Sequence, residues 1–284
     1  MNKPDTLVIS GASTKVVSFV GIFRALFEKN ILKEDLDGIK EIHTLSIGAF
    51  YSLCLLLNIS ERVIYECLVG IDFTECLDVD EINFNDITTS LGFTSHERFF
   101  KIIMKRTFMY KFQKEDITLK ELYEYKPIEL YIKCVNVSKQ CSVHFNRKKH
   151  PNMSVTKLLI MTTTLPIFFK PHKYENDYYV DGGLSGNLPV EKVKSKNVLC
   201  IHIKRCMKNI DEETIPLLGF LQNMCSVSSL SYNKYKNRSI NIVIDLSTYD
   251  FNIDKNKKDK IIKMGYEQTL KRINDKSFNY TPKN

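Results

Sequence analysis

The eight cysteines of this chain form no C-x-x-C pair, and its six histidines show no H-E-x-x-H or comparable spacing. The first absence removes the usual zinc and dithiol signatures; the second leaves no metal-ligand helix, and no metal or cofactor is expected. Length argues against a disulfide framework, because 284 residues can bury a large core without covalent staples. Cys54, in SLCLLL, fits a buried free thiol in a reducing compartment. No Pro/Gly/Ser-rich linker or internal repeat divides the sequence, which favours one domain. The amino terminus, MNKPDTLVIS, passes straight from polar residues to a short strand without the apolar core of a signal peptide, so a cytoplasmic location is expected. A membrane span is also lacking. Residues 44–60 carry no charge, but the run is barely long enough to cross a bilayer and ends at Ser60, a helix cap before ERVIYECL. It reads as the end of a strand followed by a buried helix.

What is present is basic. Lys and Arg number 41 against 33 Asp and Glu, a formal net charge of +8, which favours anionic partners such as phospholipid headgroups or nucleic acid. No nucleic-acid-binding signature accompanies the charge, and no nucleic acid is expected. Much of the excess lies in RKKH (147–150) and KNKKDKIIK (255–263). Each reads first as a solvated face. The second lies on a basic amphipathic helix over 255–272, where Lys257, Lys258 and Lys260 would meet an anionic membrane surface.

The order of elements points to an α/β class. TLVIS (6–10) is a short apolar strand; GASTKVVSFVG is a small-residue loop; IFRALFEKNI has helical periodicity up to Asn30. LDGIKEIHTL supplies a turn and a second strand, and AFYSLCLLL a buried helix. Strand, helix, strand, helix predicts a parallel sheet in a three-layer α/β/α core. Residues 61–125 are mostly helical, with Ser95 as an expected N-cap and a Thr118–Glu121 capping box. PIELYIKCVNV and CSVHF read as neighbouring strands, MSVTKLLIMTTTLP as a helix opening at Ser154 and ending before Pro166. NVLCIHI and SINIVIDL are further strands, with a helix expected between them over IPLLGFLQNMCSVSSL.

Two stretches carry chemistry. In HTLSIGAF, Ser46 falls at a strand-to-helix junction, where a tight turn lifts a hydroxyl clear of a sheet. The G-x-S-x-G form of that elbow uses small residues on both sides; Gly48 supplies one, and Thr44 stands at the other. A serine capping a core helix is the plain alternative. In YYVDGGLSGNLPV, an apolar strand ends on Asp181, and Gly182 and Gly183 let the backbone turn sharply while the carboxylate stays at the strand terminus.

Taken with LVISGASTKVVSFVGIFRAL (7–26), these stretches resemble the patatin-like phospholipase family: its first strand, oxyanion loop and helix, its nucleophile elbow, and the block carrying its aspartate. TLKELYEY and MSVTKLLIMTTTLPIFFKP resemble supporting pieces in the same order, so the resemblance covers 6–194. Residues 195–284 would complete the same α/β domain and end in the basic helix. The resemblance implies a lipid acyl-ester hydrolase with a Ser46–Asp181 dyad, Ser46 as nucleophile and Asp181 as base. The backbone N–H groups of Gly11, Ala12 and Ser13 would form the oxyanion hole. Burial would have to raise the proton affinity of Asp181, since a free aspartate is a poor base. The chain departs from the family's G-G-G-x-[KR]-G loop, keeping Gly11 and Lys15 but having Ala12, Ser13 and Val16 where glycines stand. Two other readings fit the residues. One is a Ser-His-Asp hydrolase using His202, although its place in LCIHI suits a strand face better. The other is a catalytically impaired fold that binds lipid or protein.

Overall fold

The computed structural model describes residues 3–77, 91–205, 235, 237–247 and 250–278. In chain order the elements are β1 (Thr6–Ile9), a 3-10 turn (Ser13–Val17), α1 (Ser18–Glu28), β2 (Glu41–Leu45), α2 (Ile47–Leu56) and α3 (Glu61–Gly70). Then follow β3 (Gly92–Thr94), α4 (Glu97–Phe112), α5 (Leu119–Tyr125), β4 (Glu129–Asn136), β5 (Cys141–Phe145) and α6 (Val155–Thr163). The chain continues through β6 (Ile167–Phe169), β7 (His172–Tyr174), β8 (Asp177–Asp181), β9 (Val198–Arg205), β10 (Ser239–Ile244) and α7 (Lys255–Ile273).

The apolar runs become the centre of one sheet ordered β10-β9-β1-β2-β4-β8-β7, with β5 also on β4. The first four pairings are parallel and those of β4 with β5 and β8 antiparallel, so the expected parallel α/β core is present with an antiparallel margin. Strands buried on both faces need continuous apolar sequence, and Leu7, Val8 and Ile9 of β1 and Leu199, Cys200 and Ile201 of β9 have no exposed surface. The charge-free run also behaves as expected: α2 is buried almost all round. No described helix is long and apolar enough to cross a membrane.

Local chemistry sets the helix starts. The Thr118–Glu121 capping box forms reciprocally, with Thr118 N–H donating to Glu121 Oε2 at 2.7 Å and Glu121 N–H to Thr118 Oγ1 at 3.2 Å. Ser60 caps α3, and Ser154 caps α6 by accepting Lys157 N–H at 2.9 Å. Two expectations need correction. The N-cap residue of α4 is His96, and the Ser95 hydroxyl accepts from Glu97 N–H at 3.2 Å instead. Helix α1 starts at Ser18, four residues before its apolar period begins, because Val16, Val17, Phe19 and Val20 are fully buried and packing overrides their weak helix preference. The helix expected over 215–230 lies outside the described residues.

The basic terminal helix forms, but its role in packing differs from expectation. It lies against α1 with backbones nearly touching: a Cβ on Gly21 would strike the Ile262 carbonyl, and one on Gly265 the Ser18 carbonyl. Lys258 is buried rather than turned to an anionic surface. Its ammonium donates to the Val69 and Ile71 carbonyls and lies 4.6 Å from the centre of the Phe73 ring. Lys257 and Lys260 remain exposed.

Candidate active site

The register of β4 brings the two informative stretches together. β2 pairs with β4 up to Leu45 opposite Lys133, while β8 arrives from the other direction and ends with Asp181 opposite Cys134. β5 occupies the other flank of β4, so β2 and β8 share one flank and meet head to head at adjacent rungs. Ser46, the residue after β2, and Asp181, the last of β8, therefore face each other across that junction.

Ser46 has φ 53° and ψ −145°, a left-handed conformation that costs a side-chain-bearing residue about 1–3 kcal/mol. The surroundings hold it there. Its N–H donates to Thr162 Oγ1 at 2.8 Å, and that hydroxyl donates to the Lys133 carbonyl at 2.7 Å, tying the turn through α6 to the sheet. Gly48 is required by close approach, since a Cβ would run into the Ser10 carbonyl. Thr44 is accommodated on the same account: its Oγ1 lies 3.0 Å from where that missing Cβ would stand. The Thr44 hydroxyl is buried with no hydrogen-bond partner among the described residues.

Asp181 is buried, and burial pushes its pKa up to about 6 against the Ser46 hydroxyl, the Gly183 N–H and the Lys133 charge, each of which favours the carboxylate. Oδ1 accepts Gly183 N–H at 2.7 Å. Oδ2 has no partner of hydrogen-bond geometry among the described residues, and the Ser46 hydroxyl is among the groups that favour the ionised form. The glycines after Asp181 pack tightly, a Cβ on Gly182 striking the Lys133 carbonyl.

The third element is the loop after β1. A Cβ on Gly11 would stand 3.1 Å from Ser46 Cβ and 2.6 Å from Asn187 Oδ1, so this loop lies directly against the serine. The Gly11 carbonyl accepts Ser10 Oγ at 2.9 Å and Asn187 Nδ2 at 3.1 Å, which fixes the Gly11–Ala12 peptide plane. Ser13 has φ 50°, a strain of about 1 kcal/mol for a residue with a side chain.

Three residues of this constellation escaped the sequence reading: Thr162, Asn187 and Lys133. Lys133 is fully buried, and its ammonium donates to the Ser185 and Gly186 carbonyls at 3.1 Å and to Glu191 Oε1 at 2.6 Å, pinning the loop that follows Asp181. A lone lysine inside the apolar strand ELYIKCVN was the available signal. His202 lies on β9 with Asn241 as a side-chain hydrogen-bond partner and, desolvated, has its pKa lowered to about 3. No histidine hydrogen-bonds Ser46 or Asp181 among the described residues, nor do His, Cys, Asp and Glu there form a metal-holding cluster.

Known proteins resemble this chain in sequence and in fold. A probable lipid hydrolase, 463L of Invertebrate iridescent virus 6, is 25% identical over 247 residues, covering 87% of this chain and 80% of its own. The uncharacterised protein R571 of Acanthamoeba polyphaga mimivirus is 24% identical over 283 residues, covering 94% of this chain and 93% of its own. Among solved structures, VipD of Legionella pneumophila superposes with a TM-score of 0.66 at 16% identity, over 96% of this chain and 67% of VipD. The type III effector ExoU superposes with a TM-score of 0.54 at 12% identity, over 97% of this chain but only 54% of ExoU. These two likenesses show the fold. The profile of the Patatin family, patatin-like phospholipase, matches residues 7–194, the span that contains Gly11, Ser46 and Asp181. With most of its length matched and its sheet built on the same plan, this chain belongs to the patatin-like phospholipase family, a family of lipid hydrolases.

Proposed function

We propose that the protein hydrolyses an acyl ester of a lipid, a phospholipid or lysophospholipid, with Ser46 as nucleophile and Asp181 as its base. Asp181 Oδ2 takes the hydroxyl proton as Ser46 Oγ bonds to the acyl carbon. The negative charge that develops on the carbonyl oxygen is met by N–H groups of Gly11, Ala12 and Ser13. Collapse of the tetrahedral species breaks the ester bond, and the leaving alcohol takes the proton from Asp181. Water, deprotonated by the same carboxylate, then cleaves the acyl-serine, releasing the fatty acid and returning the proton to Ser46.

The observation that carries this reading is the junction itself: a strained serine opposite a buried carboxylate whose Oδ2 has no hydrogen-bond partner among the described residues. A pKa of about 6 leaves Asp181 largely ionised at neutral pH yet more basic than a free aspartate. The loop is suited to its part as well. A trans peptide directs its N–H opposite to its C=O, so holding the Gly11 carbonyl with Ser10 and Asn187 turns the Ala12 N–H away from them. Residues 6–194 would carry the catalytic apparatus, with 195–284 completing the same unit.

Ser13 at φ 50° and Thr44 at the elbow favour a second reading, a binding module that has lost turnover. A fluorophosphonate probe separates the two. Labelling at Ser46, located by mass spectrometry and lost in Asp181→Asn, supports the hydrolase; a folded protein that stays unlabelled overturns it. Turnover of a short-chain ester unchanged in Ser46→Ala would sink the dyad.

A further inference from the structure

Helix α4 buries one side in the core through Phe100, Met104 and Phe108. Its opposite side is composed unlike an ordinary solvated face. Ile102 and Met109 are seven residues apart, two helical turns, and so lie one above the other, yet they are 43% and 45% exposed. At 100° per residue, Arg98 and Lys105 flank that ridge on one side, and Arg106 and then Tyr110 on the other. Tyr110 is 80% exposed. Lys101 pairs with Glu97 at 2.6 Å and Lys105 with Glu115, but Arg98 and Arg106 make no ion pair among the described residues. An apolar ridge bordered by cations and an aromatic is the pattern of a helix lying in a lipid headgroup layer, where the ridge enters the acyl boundary and the long cationic stems reach back to phosphate.

The helix is also joined to the site. His96, its N-cap, has Nε2 2.8 Å from Thr163 Oγ1, next to the Thr162 that holds Ser46. Phe100 packs 6.4 Å, ring centre to ring centre, from Phe50 on the helix that Ser46 opens. We propose that the outer face of α4, centred on Ile102 and Met109 and bordered by Arg98 and Arg106, docks the protein on an anionic phospholipid bilayer. The choice of a bilayer follows from charge complementarity with the two guanidinium groups that have no ion pair among the described residues, and from the lipid substrate proposed above, on which this inference rests. It assigns membrane contact to α4 instead of the basic terminal helix, one of whose lysines is buried.

The test uses the Ser46→Ala chain, so that binding is read without turnover and failure here leaves the dyad untouched. Its sedimentation with phosphatidylcholine vesicles should require added phosphatidylserine and weaken with salt. Replacing both arginines, R98Q/R106Q, should reduce partition on the order of twentyfold, about fivefold for each cation removed. I102S/M109S should reduce it by roughly tenfold, and R98K/R106K should retain it. K260Q/K263Q on α7 serves as the control and should bind as the parent does. Binding that ignores phosphatidylserine, that survives both α4 double substitutions, or that is lost only in K260Q/K263Q overturns the proposal. An α4 face that serves a protein partner instead would give no vesicle binding in any variant.

Discussion

Replacing Asp181 by asparagine should stabilise the protein at neutral pH relative to acid while removing its reactivity. Asp181 is 3% exposed, and burial moves its pKa from 3.8 to about 6. That difference is worth about 3 kcal/mol between the two protonation states. Because the native state binds the proton more tightly than the unfolded chain, the benefit is fully present below pH 3.8. It drains away as the pH rises, and it is gone above about 6, where folding buries a charge. Asparagine has no charge to bury and keeps the Oδ1 acceptor for Gly183 N–H. Its amide group brings a separate, pH-independent cost of about 1–3 kcal/mol if it finds no acceptor. The informative quantity is therefore the change in the difference between the two proteins, not its sign at one pH. Urea unfolding should show Asp181→Asn gaining about 2 kcal/mol on the parent between pH 4.5 and pH 8. A difference that stays constant over that range would refute burial as the origin of the shift.

The same ionisation should govern reactivity: fluorophosphonate labelling of Ser46 should rise through about pH 6, where Asp181 becomes a base. Lys133→Met removes a cation that favours the carboxylate, so the midpoint should move to higher pH; an unmoved midpoint would limit Lys133 to holding the loop. Thr162→Val strands the Ser46 N–H without its acceptor, a cost of about 1–3 kcal/mol, and should slow labelling at least tenfold or so, whereas Thr162→Ser keeps the bond and should restore the rate. Lys258→Met leaves two carbonyls without their donor and should lower stability by about 1–3 kcal/mol. The exposed Lys260→Gln should stay within about 0.5 kcal/mol, and thermal unfolding reads both.

What could be seen in the sequence was local. The elbow around Ser46, the turn after Asp181 and the capping box at Thr118 are each written within a few residues, and the parallel core follows from the alternation of strands and helices. The residues that support the site were hidden because they act across the chain. Thr162 meets the Ser46 N–H from 116 residues away, and nothing in TTTLP distinguishes that threonine from its neighbours. That β8 would take the flank of β4 vacated by β2 depends on a register that alternation does not specify. The terminal helix shows a related limit: a lysine-rich run reads as surface until Gly21, Gly265 and the Val69 carbonyl show which side is covered.

The placement of β9 bears on when the protein becomes competent during synthesis. Ser10, at the base of the Gly11–Ser13 loop, donates its N–H to the Ile201 carbonyl at 3.0 Å, and its hydroxyl accepts the Ile203 N–H at 2.9 Å. β1, made well before β9 in the chain, is thus completed on that side only by β9. A nascent chain that has reached Lys194 holds both the serine and the aspartate, yet it presents β1 as an open edge and α1 without its covering helix. Asn187 can hold the Gly11 carbonyl before β9 is made, but the two bonds that tie Ser10 to the sheet form only when β9 arrives, so the setting of the loop beside Ser46 is completed from a part of the chain beyond both Ser46 and Asp181.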